Sequence, residues 1–395
     1  MAAPAPVIPD EVLAIARTLE EAGYEAWCVG GALRDALLGQ PHTDYDFATS
    51  ATPAEVAALF RRTVPIGAKY GTVGVFDRQR ILHEVTTFRR DVATDGRHAV
   101  VAYGVSLDED LARRDFTVNA IAYHPLRGEW RDPFGGRADL ERGVLRAVGE
   151  PAERFREDYL RILRGIRFAA RFGFQIEPAT WTAAVAAAEG LGRLSAERVR
   201  DEWFKSLRTA RSVAELVELW RRVGAAERWL PELAAAGPER LEQAAAVPSD
   251  GRDPVLLSAL LFDDAAPALQ RLRASRAEIE RAAALARGPF APEGAAPPAV
   301  RRWLAAVGAA ADDLLELHRW RTGADAPWAG AVAGIRQRGE PLSRGDLAVT
   351  GRDLQALGLS GPRVGQLLGV LLDRVLDDPA LNQRETLLAL AGELV

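Results

Sequence analysis

The sequence predicts an α+β fold, with a small mixed sheet in a head formed by residues 1–148 and an all-helical remainder. Two observations support this division. Short apolar runs of strand character, separated by Gly, Pro and polar residues, alternate with short helical segments in the first part of the chain. Beyond it, Ala-rich and Leu-rich segments with helical periodicity continue to the C-terminus. This change is typical of an α/β domain followed by helical ones.

Composition limits the classes of protein to consider. The 395 residues are 48% hydrophobic and 27% charged, as in globular proteins with more than one domain. No uncharged stretch is long enough to span a membrane, and the N-terminus lacks the basic start and apolar core of a signal peptide. The single cysteine, Cys28, rules out an internal disulfide and a cysteine-based zinc site. We therefore expect no membrane partner and a cytoplasmic location.

The net charge of −5 argues against a protein that binds nucleic acid over its whole surface. All basic residues except Lys69 and Lys205 are arginines. A GC-rich genome explains this bias, so the positions of the arginines carry more information than their number.

The head begins with a predicted strand, "YEAWCVG", a helix, "ALRDALL", that ends at Gly39, and a second strand, "TDYDFAT". Thr52 and Glu55 form a capping box, with Pro53 at the first helical position, for a helix reaching about Arg61. A hairpin is predicted next, with strands "YGTVGVF" and "RILHEVTTF". The polar "RRDVATDGRH" then predicts a mobile loop. Another capping box, "SLDE", and a strand, "FTVNAIAYH", complete the head.

Gly30 and Gly31 lie between the first strand and its helix. Such a turn leaves backbone N–H groups free at the start of a helix, where they can bind phosphate. Arg34, one turn later, adds a charged donor. The pattern is not GxGxxG, and a pair of glycines in a tight turn is the alternative interpretation.

Asp44 and Asp46 are one residue apart on a predicted strand, so both carboxylates face the same side. Two adjacent carboxylates repel each other unless a cation joins them, and hard oxygen ligands suit Mg²⁺. Glu84, on a later strand, is a candidate third ligand. The alternatives are a solvated strand edge for the aspartates and an ion pair with an arginine for Glu84.

A helix predicted over residues 155–174 carries arginines on one face. At 100° per residue the arginines lie within a 120° arc opposite the apolar side, and Asp158 lies beside this arc. They are Arg161, Arg164, Arg167 and Arg171. A solvated amphipathic face is the alternative, although such faces normally mix the signs of their charges.

Asp158 and Arg161 together suggest a base-reading pair. A carboxylate accepts from an exocyclic amino group, and a guanidinium donates to a ring nitrogen or carbonyl. Cytosine and adenine satisfy both groups, whereas uracil and guanine place a carbonyl against the carboxylate, a mismatch of roughly 1–3 kcal/mol or more. This hypothesis requires that the helix face the glycine turn and the aspartate strand across one cavity.

Five motifs then follow one another: "GGALRD", "DYD", "EVTTFRRD", "RRDFTVNAIA" and "EDYLRILRGIRFA". In this order and spacing they resemble the class II tRNA nucleotidyltransferases, the CCA-adding enzyme and poly(A) polymerase family of the DNA polymerase beta superfamily. The resemblance is strong over residues 20–220 and weaker towards the C-terminus. It implies a Mg²⁺-dependent enzyme that uses CTP and ATP and acts on tRNA.

The resemblance also implies roles for matching residues. Asp44 and Asp46 would hold Mg²⁺, with Glu84 as a further catalytic candidate. Gly31 and Arg34 would bind the triphosphate. Arg114 would touch the nucleotide, and Asp115 and Asn119 are candidates for the ribose. The residues that would read the nucleotide and bind phosphate are Asp158, Arg161, Arg164 and Arg167.

The same resemblance implies four domains. They are a catalytic head (1–148), a helical neck for nucleotide recognition (149–215), a helical body (216–295) and a helical tail that binds tRNA (296–395). His318 is the only histidine after His124, so we expect no His-Asp phosphohydrolase domain of the kind found in some relatives.

The predicted function is transfer of CMP and AMP to a tRNA 3′ end without a nucleic-acid template. The segment Arg89–Leu111 is slightly shorter than the family pattern, so CC-adding, A-adding and poly(A)-adding activities remain alternatives. A DxD glycosyltransferase and a helical RNA-binding protein with an inactive head are rivals of other classes. Cys28, His42 and His83 are interpreted as packing or solvated residues.

Overall fold

The computed structural model describes residues 6–40, 45–67, 71–94 and 99–394. The chain divides into two units, Met1–Ala234 and Ala235–Val395. The first combines a mixed sheet with helices and the second is helical, so the predicted α+β class is confirmed. The finer division into head, neck, body and tail stays a prediction. In the described ranges no helix is both long and apolar enough to cross a membrane.

Eleven strands occur among the described residues of the first unit. They are β1 (Ala26–Val29), β2 (Asp46–Thr49), β3 (Thr63–Gly67), β4 (Thr72–Phe76), β5 (Leu82–Thr87), β6 (Arg89–Thr94), β7 (Ala99–Tyr103), β8 (Ala122–His124), β9 (Glu129–Arg131), β10 (Val144–Leu145) and β11 (Gln175–Ile176). Seven of them form one sheet in the order β3-β4-β5-β2-β1-β8-β9, while β6 pairs with β7 and β10 with β11. Within the large sheet β2 and β5 run parallel, and the other neighbours are antiparallel.

The helices of the first unit connect and cover these strands. They are α1 (Asp10–Glu21), α2 (Gly30–Leu37), α3 (Pro53–Leu59), α4 (Leu107–Ala112), α5 (Gly136–Arg142), α6 (Pro151–Glu157), α7 (Leu160–Phe172), α8 (Pro178–Ala186), α9 (Ala196–Thr209), α10 (Val213–Arg222) and α11 (Ala225–Trp229). The capping boxes predicted before α3 and α4 are both present. In each, the hydroxyl of the capping residue accepts the N–H of the glutamate three positions later, and the glutamate carboxylate accepts the N–H of the capping residue.

The large sheet is covered on both faces. Phe47 of β2 packs with Leu19 of α1 and Val56 of α3 in one core, whereas Ala48 packs with Leu111 in a second core. Successive side chains on a strand point to opposite faces, so Asp46 shares the face of Ala48. That face is the one on which the polar site described below is built.

Three sequence predictions in the first unit need correction. Residues 89–94 are not loop, because β6 pairs antiparallel with β7. Strands pair through backbone hydrogen bonds, which a polar sequence does not prevent. In "FTVNAIAYH" a 3-10 turn at Thr117–Asn119 precedes β8. The strand predicted over "TDYDFAT" begins only at Asp46, and Asp44 lies outside the described residues.

The helix predicted over residues 155–174 is interrupted. α6 ends at Glu157 and α7 begins at Leu160, with Asp158 in an extended conformation (φ −153°, ψ 105°). The Asp158 carboxylate accepts the N–H of Leu160 at 3.0 Å and a hydrogen bond from Arg198 at 2.7 Å. A short acidic side chain that bonds nearby backbone competes with the helical ladder, which explains the break.

The second unit contains ten helices among its described residues. They are α12 (Pro238–Ala246), α13 (Pro254–Leu261), α14 (Ala266–Arg271), α15 (Arg276–Arg287), α16 (Pro297–Val307), α17 (Ala311–Thr322), α18 (Ala329–Gln337), α19 (Gly351–Ala356), α20 (Pro362–Asp377) and α21 (Arg384–Glu393). The predicted joint rich in Ala, Gly and Pro lies between α15 and α16 and contributes Pro297 to the start of α16.

Candidate active site

A cavity of about 710 Å³ lies in the first unit and is lined by the glycine turn, β2, β5 and α7. The predicted site residues that line it are Gly30, Gly31, Arg34, Asp46, Glu84, Arg114, Asp115, Asn119, Asp158, Arg161, Arg164 and Arg167. The expectation that the arginine-bearing helix faces the glycine turn and the aspartate strand is therefore confirmed. Every predicted site residue except Asp44 lines this cavity. Asp44 lies outside the described residues.

Gly30 begins α2 with φ of 80°, a conformation that residues with a side chain rarely adopt. A Cβ on Gly30 would lie 2.8 Å from Oδ2 of Asp46, which is closer than such atoms approach. Glycine therefore permits both the turn and the approach of the carboxylate. The first N–H groups of a helix lack intrahelical partners and carry partial positive charge, so this turn suits a phosphate.

Asp46 and Glu84 lie side by side on neighbouring strands. Phe47 is in register with Val85 in the parallel pair β2–β5, and Asp46 and Glu84 directly precede these two residues. Both line the cavity, and no arginine forms an ion pair with Glu84 among the residues that the structure describes. These are hard oxygen donors of the kind that Mg²⁺ prefers. Within the described ranges no group of three or more His, Cys, Asp and Glu residues could hold a metal ion.

Arg34 is buried between α2 and the remainder of the site. Its guanidinium donates to Oδ1 of Asp35 at 2.7 and 2.9 Å and to Oδ1 of Asn119 at 2.6 Å. It also lies over the rings of Phe168 and Phe172, at 5.0 and 4.7 Å from their centroids. Burial lowers the pKa of Arg34, although the Asp35 carboxylate opposes that shift. These contacts hold the guanidinium at the cavity wall.

Asp115 and Asn119 connect Arg34 to α7. Oδ1 of Asp115 accepts from the Asn119 amide and from the N–H of Phe116, both at 2.9 Å, and Oδ2 accepts from Arg164 at 2.8 Å. Burial alone would raise the pKa of Asp115, but Arg164 and the Asn119 amide outweigh it and lower the pKa to about 2. Asp115 is thus a fixed anion that orients its neighbours.

We expect Asp115 to contribute to acid stability. A carboxyl whose folded pKa is below its unfolded value stabilises the protein above the unfolded pKa, and this stabilisation is lost as the pH falls through the folded pKa. Here the window runs from about pH 4 down to about pH 2, and the contribution is about 2 kcal/mol. As the pH falls through this window, the wild type should therefore lose about 2 kcal/mol more unfolding free energy than Asp115→Asn. Denaturant unfolding of both proteins at several pH values measures the difference.

The matched control for this measurement is Asp201→Asn, an exposed carboxylate on α9. Its pH dependence should follow that of the wild type. An unchanged slope for Asp115→Asn would contradict the assignment of a low pKa to Asp115.

The arginines of α7 are each paired with an acid, which the sequence interpretation did not foresee. Arg164 meets Asp115, and Arg167 donates to Oε2 of Glu202 at 2.6 Å. The other two pairs are Arg161 with Glu157 at 2.6 Å and Arg171 with Asp35 at 2.8 Å. All four acids lie outside α7, so a face that is nearly all arginine in the sequence is a network of alternating charges in the structure.

Asp158 and Arg161 both line the cavity, as the base-reading hypothesis requires. Their contacts leave capacity for a ligand. Each oxygen of Asp158 has one protein donor given above, and a carboxylate oxygen can accept more than one hydrogen bond. Arg161 donates through Nη1 to Glu157 and the Arg154 carbonyl and through Nη2 to the Arg113 carbonyl. Its Nε–H and one Nη2–H make no hydrogen bond within the described ranges. The base-reading role stays a prediction.

The sequence reasoning missed several residues of this site. Asp110 of α4 is almost wholly buried and accepts from Arg113 at 2.8 Å and from Arg114 at 3.2 Å. Its Oδ1 also accepts the N–H of Arg89 at the start of β6. The spacing of three and four residues between Asp110 and the two arginines was a usable signal. For Glu202, Asp35 and Arg198 the separation along the chain hides the contact.

Two of the three residues set aside earlier, Cys28 and His83, are buried. Burial raises the pKa of the Cys28 thiol, which makes it a poor nucleophile. His83 Nδ1 accepts the N–H of Tyr45 at 3.1 Å, and Nε2 lies 3.4 Å from Asp77. His42 lies outside the described residues.

Two family models match parts of the chain. Residues 26–146 match the poly A polymerase head domain, and residues 173–236 match the probable RNA- and SrmB-binding site of polymerase A. Among curated proteins, the CCA-adding enzyme of Lactiplantibacillus plantarum is 48% identical over 207 residues, which is 52% of this chain and 50% of that protein. The CCA-adding enzyme of Geobacillus thermodenitrificans is 45% identical over 60% of this chain and 58% of its own length. These matches thus span about half of each relative.

Solved structures extend the likeness to the whole chain. The crystal structure of the Bacillus stearothermophilus CCA-adding enzyme in complex with CTP is 34% identical, covers 98% of both chains and has a TM-score of 0.84. The Thermotoga maritima CCA-adding enzyme complexed with tRNA shares the fold, at 21% identity and a TM-score of 0.64 over 99% of this chain and 97% of that one.

Proposed function

The chain belongs to the tRNA nucleotidyltransferase family that contains the CCA-adding enzymes and poly(A) polymerases, and we propose that it adds CMP and AMP from CTP and ATP to the 3′ end of tRNA. The observation that carries this proposal is the single cavity that combines a phosphate-binding turn, two neighbouring carboxylates and an arginine-lined helix. Each of these features serves a different part of a nucleoside triphosphate. A cytoplasmic location accompanies the proposal, because tRNA and the nucleotides are present there.

Mg²⁺ is the metal that the carboxylates suit. Asp46 and Glu84 would hold it, together with Asp44, and the bound ion would lower the pKa of the attacking hydroxyl and offset charge on the triphosphate. The fit rests on the donor chemistry and on Gly30, whose missing Cβ makes room for the Asp46 carboxylate beside the phosphate-binding turn.

The remaining residues position the reactants. The N–H groups of the Gly30–Gly31 turn and the guanidinium of Arg34 would bind the triphosphate. The 3′ hydroxyl of tRNA then attacks the α-phosphate in line, one phosphodiester bond forms and pyrophosphate leaves. Asp115 and Asn119 would orient the ribose, because both are held rigidly by charged neighbours. Catalysis of this kind is largely positioning and electrostatic stabilisation.

Base selection would fall to Asp158 and Arg161. A carboxylate and a guanidinium edge accept cytosine and adenine and reject uracil and guanine for the reason given above. The Arg198 and Glu157 contacts fix both side chains before the nucleotide arrives, so the free-energy cost of ordering them is already met.

The decisive experiment supplies purified protein with Mg²⁺, a tRNA that ends before CCA, and CTP and ATP separately and together. We expect two added residues with CTP alone and three with both nucleotides. Two residues with CTP alone and no third residue when ATP is also present would indicate a CC-adding enzyme. A single A added only to a tRNA that already ends in CC would indicate an A-adding enzyme, and long tails with ATP a poly(A) polymerase. An unchanged tRNA would contradict the proposal. The glycosyltransferase rival is dropped, because it explains neither α7 nor the family match.

A further inference from the structure

A second cavity, of about 540 Å³, lies in the first unit and shares no residue with the one described above. It is lined by α6, the end of α8, the 3-10 turn Ala188–Arg193 and α11. Its chemically distinctive residues are Arg156, Tyr159, Glu189, Arg193 and Arg228. Three arginines against one glutamate make this a basic cavity within a chain whose net charge is −5.

Two glycines shape this cavity. A Cβ on Gly190 would lie 2.0 Å from a ring carbon of Tyr159, and one on Gly192 would lie 2.2 Å from Nη2 of Arg228. A side chain at Gly190 would displace the Tyr159 ring, and one at Gly192 would displace the Arg228 guanidinium, so in this structure both groups lie directly against the backbone of the turn. The Arg193 guanidinium also stands over the Tyr159 ring, 5.8 Å from its centroid. The two glycines therefore let Tyr159 and Arg228 pack against the turn that lines the cavity.

The arginines here differ from those of the first cavity. Every arginine of α7 has a carboxylate partner, whereas Arg156, Arg193 and Arg228 form no ion pair within the part of the chain that the structure describes. Arg156 donates only to the Ala152 carbonyl, at 3.0 Å. Three guanidinium groups around a single carboxylate, Glu189, that forms an ion pair with none of them leave an excess of positive charge for an anionic ligand, and phosphate matches their planar donor geometry.

The joint between α6 and α7 connects the two cavities. Asp158 lines the first and Tyr159, the next residue, lines the second. The extended conformation of Asp158 turns these adjacent side chains towards different spaces. A ligand in the second cavity would therefore touch the residue that follows the proposed base-reading carboxylate.

We propose that this second cavity binds a backbone phosphate of the substrate RNA, at a point remote from the reacting 3′ end. The proposal rests on the proposed function, which supplies an RNA partner. A negatively charged protein needs a local cluster of arginines to hold a polyanion, and this cluster lies largely in the segment that matches an RNA-binding family model. RNA is favoured over a free nucleotide because Arg193 and Arg228 are exposed on the surface.

The test compares two double variants that each remove two positive charges. One carries Arg193→Ala and Arg228→Ala. The control carries Arg17→Ala and Arg208→Ala, whose arginines are exposed and line neither cavity. We expect the first variant to bind tRNA roughly tenfold more weakly than the control near 0.1 M salt. The slope of log Kd against log salt should also be smaller, by the amount that corresponds to about one to two lost phosphate contacts. The KM for CTP should be unchanged.

A tRNA affinity equal to that of the control overturns the proposal, and so does a rise in the KM for CTP without loss of tRNA affinity, which would indicate a nucleotide site. Thermal melting of both variants establishes that they are folded, and Arg193→Lys with Arg228→Lys should recover part of the affinity if charge is what matters. Binding is measured without turnover, so a wild type that binds tRNA but does not extend it contradicts the proposed function alone.

Discussion

Asp46→Asn should reduce nucleotide transfer by roughly a thousandfold or more, while tRNA binding and the free energy of unfolding change little. Asp46 lies where the glycine turn, β2 and the cavity meet, and its carboxylate is one of the groups that would hold Mg²⁺. Asparagine has nearly the same shape but no charge, so the loss would report the missing anion and not a change in packing. Single-turnover extension of a tRNA that lacks CCA is the appropriate measurement.

The control for this result is Glu129→Gln, which removes a carboxylate from β9 of the same sheet, away from the cavity. It should transfer nucleotides at the wild-type rate. Glu84→Gln should lie between the two, because Glu84 lines the cavity as a neighbour of Asp46. A fully active Asp46→Asn variant would remove the metal site from the proposed mechanism.

Glu202→Ala is expected to give the largest loss of stability, about 3–5 kcal/mol. Glu202 of α9 and Arg167 of α7 are both buried and joined by a hydrogen bond of 2.6 Å. Glu202 is also 4.0 Å from Arg164. Removal of the acid leaves a buried guanidinium without its partner, and such a charge costs far more than the pair itself contributes. Urea unfolding followed by circular dichroism measures the change.

Two further variants make this prediction specific. Asp201→Ala, next to Glu202 but exposed, should cost less than about 1 kcal/mol, as surface ion pairs do. Arg167→Met combined with Glu202→Met should recover much of the lost stability, because neither charge then remains buried. If the double variant were as unstable as Glu202→Ala, the cost would come from packing and not from the unpaired charge.

Those features of the candidate site that depend on residues close together in the chain could be predicted from the sequence. Gly30 and Gly31 between a strand and a helix, the capping box at Thr52 and the arginine spacing on α7 depend on residues within a few positions of one another. Capping and helical periodicity depend on backbone hydrogen bonds and side-chain direction over one or two turns. For that reason these features appear in the structure where the sequence placed them.

Prediction failed where a partner elsewhere in the chain decides the outcome. The helix through Asp158 looked continuous, yet Arg198, forty residues further on, binds the same carboxylate that receives the Leu160 N–H. The polar residues after Phe88 suggested a loop, yet β6 pairs with β7. Periodicity indicates which secondary structure a segment prefers but not which segments it contacts. Tertiary contacts worth a few kcal/mol override a secondary-structure propensity of a few tenths of a kcal/mol per residue.

By itself, the sequence determined the α+β class, the order of the motifs and the identity of the groups that could bind a nucleotide. Only the tertiary structure decided that these groups surround one cavity and which acid faces which arginine. Glu202 pairs with Arg167 across thirty-five positions of the chain, and Asp35 with Arg171 across 136. Charges interact through space and are most strongly coupled where water is excluded, so their pairing follows from the packing of helices against the sheet and not from their spacing along the chain.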